Sequence, residues 1–298
     1  MTRPSIRHLE YAVAVAEYLN FREAAKTCHV TQPALSAQIA QLEELLGIPL
    51  FERDRRRVLV TREGAAIIAR ARGILTQVDE LIEAAGVLAR PLSGTLRLGV
   101  IPTVAPYVLP RAVSRLRRAH PDLRLLLRED QTGELVRRLR DGQLDLLLLA
   151  LEADLGEVDT LPLFEDPFLV AVPSDHPLAK RKRVRERDLI DESVLLLEDG
   201  HCLRDQVLEV CARARATELG DFRASSLTTL TQMAAGGIGI TLLPEMAASR
   251  ERSTRNLKLV PFAKPKPYRT IGLAWRRSSP RADEYHTLGD TLRSALVG

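Results

Sequence analysis

Two cysteines nine positions apart, in the stretch EDGHCLRDQVLEVCAR, are the residues of this chain best suited to do chemistry. Cys202 lies between His201 and Arg204, and a thiol near cationic groups favours its thiolate, which is the reactive form. Asp205 follows Arg204 directly. Cys211 is surrounded instead by leucine, valine and alanine at helical spacing, which predicts an apolar helix face. The pattern indicates one reactive thiol and one stored thiol.

The spacing of the two cysteines has a consequence for oxidation. If residues 203–213 form a helix, Cys202 and Cys211 are separated by roughly 13 Å along its axis. A disulfide needs Cα atoms within about 7 Å of each other. A continuous helix and a Cys202–Cys211 disulfide therefore exclude each other, and forming that bond would melt the helix. The alternative is two unrelated buried cysteines, since buried free cysteines are common.

Composition limits the class of protein. The 298 residues predict two domains, and 45% apolar with 28% charged residues is typical of a globular protein. A net charge of +4 does not by itself imply a nucleic-acid partner. Glu10 and Glu17 interrupt the apolar stretch of the N-terminus, so we expect no export signal, and we find no run long enough to span a membrane. Three cysteines in such a chain predict the reducing cytoplasm.

The segment NFREAAKTCHVTQPALSAQIAQLEELLG predicts two helices joined by a short turn. Thr31 is a candidate N-cap of the second helix, and Pro33 is tolerated in its first turn. A stripe of leucine and isoleucine would face inward and leave an uncharged polar face exposed. In a helix-turn-helix such a face enters the major groove of DNA. The candidate DNA-binding residues of the two helices are Arg22, Lys26, Thr31, Gln32, Pro33, Ser36 and Gln38. An ordinary helical hairpin is the alternative.

The next segment, LFERDRRRVLVT, predicts a short hairpin with a basic tip. Its arginines are Arg53, Arg55, Arg56 and Arg57. A run of charge is usually a solvated face, but a basic wing beside a recognition helix supplies phosphate contacts. The position of the hairpin therefore favours double-stranded DNA as a partner.

A long helix follows at about residues 62–88. Apolar residues recur in steps of three and four at Ile68, Ala71, Leu75, Val78, Ile82 and Ala85, and this heptad spacing predicts a coiled-coil seam. One such helix per chain indicates a homodimer, which would read two half-sites. The alternative, packing within the same chain, is weaker because we find no second helix of that length in the sequence.

Beyond a hinge at residues 90–94 the pattern changes. Apolar strands at about 95–101, 123–128 and 144–151 alternate with helices, one of them predicted at about 111–120. Continuous apolar strands alternating with helices indicate parallel βαβ units covered on both faces. A similar set recurs after residue 190, so we expect two α/β lobes with a cleft between them, which is a common place for a ligand.

The segment FREAAKTCHVTQPALSAQIAQLEELLGIPLFER resembles the DNA-binding signature of the LysR-type transcriptional regulators. The resemblance implies a winged helix-turn-helix domain at 1–61, a linker helix and hinge at 62–93, and an effector domain at 94–298. In this family the effector domain is similar to periplasmic binding proteins. Lobe I would comprise residues 94–166 and 268–298, and lobe II residues 167–267.

The segments GVIPTVAPYVLP, EDQTGELV, LLLEDGHCLRDQ, GIGITLLP and PKPYRTIGLAW are similar to those of the hydrogen-peroxide sensors within that family. The resemblance implies that Cys202 is the peroxidatic cysteine, that Cys211 is the resolving cysteine, and that the two form a disulfide. It places further residues around the peroxide, namely Thr103, Thr132, His201, Asp205 and Arg269. Two simpler roles stay open: the threonines could cap the helices that follow them, and His201 could be an ordinary satisfied histidine.

The resemblance also implies partners. These are a second and further copies of the chain in a homodimer or homotetramer, RNA polymerase, and a thiol-disulfide reductase of the glutaredoxin or thioredoxin type. We expect no cofactor and no metal, because the cysteines and His29 lack zinc-like spacing.

The function we expect is that of a cytoplasmic transcription regulator that senses peroxide in an oxidative stress response and is not a turnover enzyme. Three alternatives stay open. A LysR-type regulator could bind a small metabolite between its lobes, with the cysteines incidental. A thiol peroxidase could carry an accessory DNA-binding domain. A solute-binding protein is disfavoured by the expected absence of an export signal and by the N-terminal domain.

Overall fold

The computed structural model describes residues 3–53, 57–87, 91–252 and 254–296. The chain divides into two compact units. The smaller unit comprises residues 1–89 and 140–142, and the larger unit comprises residues 90–139 and 143–298.

The smaller unit is mostly helical and carries a two-stranded wing. Its elements are α1 (Ile6–Tyr18), α2 (Phe21–Thr27), α3 (Gln32–Leu46), β1 (Phe51–Arg53), β2 (Val58–Val60) and α4 (Arg62–Val87). β1 and β2 pair antiparallel, as the predicted hairpin requires. The Asn20 side chain accepts from the backbone N–H groups at the start of α2, and the Thr31 hydroxyl accepts from Ala34 N–H at the start of α3. Gly47 ends α3 with a positive φ of 70°.

The apolar stripe of α3 forms the centre of the smaller unit's core. Leu35, Ile39 and Leu42 are completely buried, whereas Leu46, at the last turn, is half-buried. They pack with residues of α1 and α2, among them Val15 and Ala24, which are also completely buried. The small alanine lets the helices approach closely, and the opposite face of α3 stays available.

Helix α4 leaves part of its apolar seam uncovered. Ile68 and Ala71 are buried in this unit, while Leu75 and Val78 are half-buried. Ile82 is 66% exposed. The side chain of Ala85, which continues the predicted seam, lies outside the described residues. An exposed apolar seam on a long helix is the pattern of a helix that meets a partner.

The larger unit is an α/β structure. Its strands are β3 (Gly94–Val100), β4 (Leu123–Glu129), β5 (Leu146–Ala150), β6 (Val158–Pro173), β7 (Ser193–Leu197), β8 (Thr217–Ala224), β9 (Thr241–Pro244), β10 (Leu257–Pro261) and β11 (Tyr268–Arg276). Its helices are α5 (Ala105–Ala119), α6 (Thr132–Arg140), α7 (Cys202–Ala214), α8 (Leu227–Ala235), α9 (Ala248–Glu251) and α10 (Ala282–Leu296). Short 3-10 helices occupy Pro177–Lys180, Glu186–Leu189 and Glu245–Ala247. Every helix among the described residues is too short or too polar to span a lipid bilayer.

The main sheet combines parallel and antiparallel pairing. Its strand order is β10-β6-β11-β5-β3-β4, and β9 also pairs with β6. β3 pairs parallel with β4 and β5, as predicted from their apolar character. β11 pairs antiparallel with both β5 and β6. β7 and β8 form a separate parallel pair. The predicted fold, a winged helix-turn-helix followed by an α/β part, is confirmed.

Two hydrophobic cores lie within the larger unit. The first core gathers buried residues from 96–163 and 271–292, and it includes Cys202. The second core gathers buried residues from 168–262, including Cys211. The 16-residue strand β6, paired with β11, runs from the first core into the second.

Helix α5 begins earlier than its sequence predicts. The sequence predicts that it starts at about Arg111, and Pro110 lacks an N–H for the helical ladder and would interrupt an earlier start. The structure instead starts the helix at Ala105 and holds Pro110 inside it. The only intrahelical hydrogen bond lost would have gone to the carbonyl of Pro106, in the first turn, so the helix tolerates the interruption.

We predict that Leu42→Ala weakens the smaller unit by about 2–5 kcal/mol, because it removes a completely buried side chain and leaves a cavity. Hydrogen exchange of the amides in α1–α3 measures this local unfolding free energy. The exposed neighbour provides the control, since Gln41→Ala should change it by less than about 0.5 kcal/mol. Equal effects of the two substitutions would contradict the assignment of this core.

Candidate functional site

Cys202 is the first residue of α7 and lies where the two cores of the larger unit meet. Its side chain is 8% exposed and belongs to the first core. The next apolar residues of the same helix, Leu203 and Val207, belong to the second core. The first residue of α7 therefore packs in the first core, while the helix that follows packs in the second.

Cys211 lies on the same helix in the second core. Both cysteines are free thiols. Nine residue steps along a continuous helix set their Cα atoms roughly 13 Å apart along the axis, which is beyond disulfide reach. Burial, followed by the nearby Glu218 carboxylate, raises the pKa of the Cys211 thiol to about 11. In this conformation Cys211 is a protonated thiol that lies too far from Cys202 to form a disulfide with it.

A completely buried arginine organises the polar side of the site. Arg269, on β11, pairs with Asp166 directly across the sheet on β6, with Nε and Nη2 each 3.0 Å from one carboxylate oxygen. The guanidinium also donates to Thr103, to its Oγ1 at 2.9 Å and to its carbonyl oxygen at 3.1 Å. The other Asp166 oxygen accepts from Met246 N–H at 3.0 Å. Both charges are thus held by several partners, as buried charges require.

The Cys202 thiol has an environment with opposing effects. Burial raises the pKa of Cys202. The Thr132 hydroxyl, the charge of Arg269 and the Leu203 N–H lower it again, while the charge of Asp205 adds to the rise. The net pKa is above the ordinary value, so the expected readily formed thiolate is not what this conformation favours. The thiol rests protonated, with groups placed to stabilise the anion once it forms.

Thr132 places its hydroxyl beside the Cys202 thiol and lowers the pKa of that thiol. It is the first residue of α6 and is 8% exposed, and its Oγ1 makes no well-aligned hydrogen bond within the described part of the chain. The capping alternative also fails for Thr103, because the N-cap of α5 is Val104 and the Thr103 hydroxyl accepts from Arg269 instead. The two threonines therefore offer hydroxyl groups to the neighbourhood of the thiol rather than to helix termini.

His201 lies at the N-cap position of α7 without capping it through its side chain. It is 5% exposed, and its Nε2 lies 3.7 Å from a Glu198 oxygen. Burial lowers the pKa of His201, and the Glu198 charge opposes that shift only partly. The imidazole is therefore neutral at pH 7, which corrects the expectation that it supplies positive charge to the thiolate. Together with Thr103 it lines a cavity of about 140 Å³, large enough for a few water-sized molecules.

Arg204 does not serve the thiol as its position in the sequence suggests. Its guanidinium binds the Glu218 carboxylate at 2.9 and 3.0 Å, the Asp199 carboxylate at 2.9 Å and the Leu197 carbonyl. The cation that acts on Cys202 is Arg269, which arrives from a distant strand. Asp205 is exposed in the first turn of α7, where its charge disfavours the thiolate.

Sequence reasoning missed Asp166 and Met246 at this site. Asp166 interrupts the apolar run LPLFEDPFLVAVP, and Arg269 interrupts PYRTIGLAW. Opposite charges inside two apolar strands are the signal that could have suggested a buried pair. Pairing them required the antiparallel register of β6 and β11, which periodicity does not give.

The described residues show no cluster of histidine, cysteine, aspartate and glutamate able to hold a metal ion. The polar groups near Cys202 are hydroxyls, one cation and a neutral imidazole. This set suits a small, uncharged, hydrogen-bonding molecule beside a sulfur atom.

The predicted DNA-contacting face of the smaller unit is accessible in part. Thr31, Gln32 and Pro33 are exposed at the start of α3, whereas Ser36 and Gln38 are half-buried. Arg22 and Lys26 are exposed on α2, and Lys26 pairs with Glu23 at 2.8 Å. Arg57 is exposed just before β2. Arg55, Arg56 and the side chain of Arg53 lie outside the described residues.

Two family models match the chain. The bacterial regulatory helix-turn-helix protein model of the lysR family matches residues 6–65, and the LysR substrate binding domain model matches residues 89–297. Among relatives, the DNA-binding transcriptional dual regulator OxyR of Escherichia coli K12 is 45% identical over 294 residues, which cover 99% of this chain and 96% of that protein. The chain belongs to the LysR family, within its OxyR group.

Solved structures of OxyR proteins agree with this LysR-family assignment. A full-length OxyR variant from Pseudomonas aeruginosa is 36% identical with a TM-score of 0.83, covering 100% of this chain and 97% of that one. An OxyR variant from Corynebacterium glutamicum, solved with hydrogen peroxide bound, is 36% identical with a TM-score of 0.69, covering 99% and 94%. The family resemblance expected from the sequence is confirmed.

For this LysR-family chain we predict that alkylation of Cys202 by iodoacetamide accelerates with pH up to and beyond pH 9. Only the thiolate reacts, and because the pKa is raised above the ordinary value of 9.0, the thiolate fraction is still increasing there. Quantitative mass spectrometry of the Cys202 peptide gives the rate. A plateau below pH 8 would contradict the raised pKa.

We further predict that Asp166→Asn lowers the free energy of unfolding of the larger unit by roughly 3 kcal/mol, because it leaves the buried Arg269 charge uncompensated. Urea unfolding followed by circular dichroism measures the change. Glu165 is its exposed neighbour, so Glu165→Gln should be nearly neutral. An unchanged free energy of unfolding in Asp166→Asn would show that the Asp166–Arg269 pair does not stabilise the larger unit.

Proposed function

We propose that this chain is a DNA-binding transcription regulator that senses hydrogen peroxide through Cys202. The observation that carries the proposal is the buried thiol at the start of α7, with the Thr132 hydroxyl and the Arg269–Thr103 pair beside it. Its relatives include a hydrogen peroxide-inducible genes activator and an OxyR variant with hydrogen peroxide bound, and they support the same function.

The first step oxidises one thiol by two electrons. Cys202 gives up its proton, and the thiolate attacks one peroxide oxygen while the O–O bond breaks. The departing hydroxide takes up a proton and leaves as water, so RSH and H₂O₂ become RSOH and H₂O. Thr103 accepts from Arg269, so its hydroxyl hydrogen is available to the peroxide, and Thr132 provides a second hydroxyl. Arg269 stabilises the thiolate, neutral His201 can bond the leaving oxygen, and Asp205 stays outside at the rim.

The second step forms a disulfide. Cys211 displaces the hydroxyl of the sulfenic acid, the S–S bond forms, and a second water leaves. Because the two sulfurs cannot meet while α7 is continuous, the helix has to unwind between them. Oxidation thus produces a conformational change, and a dimeric DNA-binding protein can respond to it.

The domain roles are part of the proposal. Residues 1–61 would bind double-stranded DNA, residues 62–93 would link and dimerise through the exposed seam of α4, and residues 94–298 would sense. The two hydrophobic cores support the boundary between lobe I (94–166, 268–298) and lobe II (167–267). Cys202 is the exception, because it belongs to lobe II in the sequence and packs in the first core. A homodimer, and a homotetramer built from two dimers, would then carry the signal to RNA polymerase.

The resetting reaction and the location follow from the same chemistry. A thiol-disulfide reductase of the glutaredoxin or thioredoxin type would reduce the disulfide, which requires a reducing compartment such as the cytoplasm. One peroxide is consumed per switching event, so the protein is a stoichiometric sensor and not a turnover enzyme. No resident cofactor is part of this chemistry.

Peptide mass mapping before and after a brief, low peroxide dose tests the function. We expect a Cys202–Cys211 crosslinked peptide to appear and Cys202→Ser to abolish it. Cys211→Ser should instead leave a sulfenic acid that dimedone traps on Cys202. Cys28→Ser is the matched control and should change nothing. Unmodified Cys202 after peroxide, together with thermal stabilisation by a metabolite, would favour the metabolite-binding alternative, and sustained peroxide turnover with a reductant would favour the peroxidase.

DNA binding has its own test. Arg57→Ala should weaken binding to operator and random DNA alike, and should reduce the slope of log affinity against log salt by about 1, because one phosphate contact is lost. Gln32→Ala should weaken operator binding more than random binding. Lys182, an exposed cation outside the smaller unit, provides the control substitution Lys182→Ala. If neither Arg57→Ala nor Gln32→Ala changes the affinity for operator or random DNA, this face of the smaller unit does not bind DNA.

A further inference from the structure

A second, larger pocket lies against helix α7. It has a volume of about 710 Å³, and none of its lining residues lines the small cavity at His201. One wall is formed by Gln206, Glu209, Val210 and Arg213. The other walls come from the 3-10 helix at Glu186–Leu189 and from residues 263–268.

The wall on α7 exists only while the segment between the cysteines is helical. Gln206, Glu209, Val210 and Arg213 recur in steps of three and four, which places them on one face of a helix. Cys202 and Cys211 bracket most of that face. Unwinding of this segment separates the four side chains, so the pocket and the reduced helix share one structure.

The charges around the pocket favour an anion. Lys264 and Lys266 form no ion pair with any described residue, and neither does Arg187. Of the acidic groups, Glu186 is paired with Arg213 by two contacts of 3.0 Å. Unpaired cations therefore outnumber the remaining carboxylates at the rim.

The remaining carboxylates are accounted for as follows. Glu152 accepts from the Thr270 N–H at 2.6 Å and from the Gln206 amide at 3.3 Å, so its oxygens are engaged within the protein. Among the lining carboxylates, Glu209 makes no hydrogen bond to any residue that the structure describes. Phe168 and Val210 give part of the lining an apolar character, and each is almost completely buried.

We propose that this pocket binds a small organic anion with an apolar body, and that the bound anion holds α7 in its helical form. The carboxylate or similar group would lie between Lys264 and Lys266, and the apolar body would lie over Phe168 and Val210. The regulatory half of this proposal rests on the proposed function, because only there does unwinding of α7 matter.

The anion acts by linkage and takes no part in the chemistry. Sulfenic acid formation at Cys202 needs no unwinding and is unaffected. The condensation that follows, in which Cys202–SOH and Cys211–SH give the disulfide and water, needs the unwound segment. A ligand that binds only the helical form disfavours that segment by the factor 1 + [L]/Kd. At ten times Kd, disulfide formation is about 11-fold slower.

Binding is tested on the full-length Cys202→Ser protein, which cannot be oxidised at this site. The probe is 4-fluorobenzoate observed by ¹⁹F NMR, and neutral 4-fluorobenzamide is its matched control. We expect a dissociation constant on the order of 1 mM for the anion and at least tenfold weaker binding of the amide. Lys264→Ala/Lys266→Ala should abolish anion binding, and Lys258→Ala, an exposed lysine outside the pocket, should leave it unchanged. Absence of anion binding, equal binding of the amide, or binding that survives the double substitution overturns the site.

The regulatory half is tested separately on the wild-type chain. Disulfide formation after a single peroxide pulse, timed by quenched mass spectrometry, should slow about 11-fold at ten times Kd of 4-fluorobenzoate, and the double lysine variant should show no slowing. Dimedone trapping should report an unchanged rate of sulfenic acid formation. An unchanged disulfide rate with the site occupied overturns the regulatory half. A ligand-free chain that forms no disulfide at all contradicts the proposed function instead, and the binding experiment still decides the site.

Discussion

The geometry of one helix limits everything else in this protein. An α-helix rises about 1.5 Å per residue, and a disulfide tolerates at most about 7 Å between Cα atoms. Cys211 follows Cys202 by nine residue steps along α7, so the helix and the crosslink are mutually exclusive. A two-electron oxidation that joined these two sulfurs would therefore have to break at least two helical turns. Such coupling needs no large ligand, which suits a sensor for a molecule as small as peroxide.

Burial of Cys202 links any movement of its thiol to both hydrophobic cores. Cys202 is anchored in the first core while the body of its helix packs in the second, so moving the thiol disturbs both. The same burial raises the thiol pKa, so the resting thiol is protonated. Arg269, fixed by Asp166 and Thr103, supplies the compensating charge from a rigid pair of strands. The groups that would stabilise the thiolate are therefore in place before the thiol ionises.

Local signals were sufficient for much of this description. The cap at Thr31 and the apolar stripe of α3 follow from neighbouring residues, and the structure agrees with them. The unwinding constraint on α7 also follows from spacing alone. Long-range pairing was not readable: the Asp166–Arg269 pair depends on the antiparallel register of β6 and β11, more than a hundred residues apart in the chain. For the same reason the sequence assigned the cationic role to Arg204, which is near in the chain, although Glu218 and Asp199 hold it elsewhere. Burial, which decides the protonation of Cys202 and His201, likewise belongs to the assembled fold.

The most direct measurement is amide hydrogen exchange across residues 203–210, made on the reduced chain and on the chain whose Cys202–Cys211 disulfide has been verified by mass. Our account predicts strong protection in the reduced state, as expected for buried helix, and exchange close to the unprotected rate after crosslinking. Helical protection of these amides that persists unchanged in the crosslinked protein would contradict it.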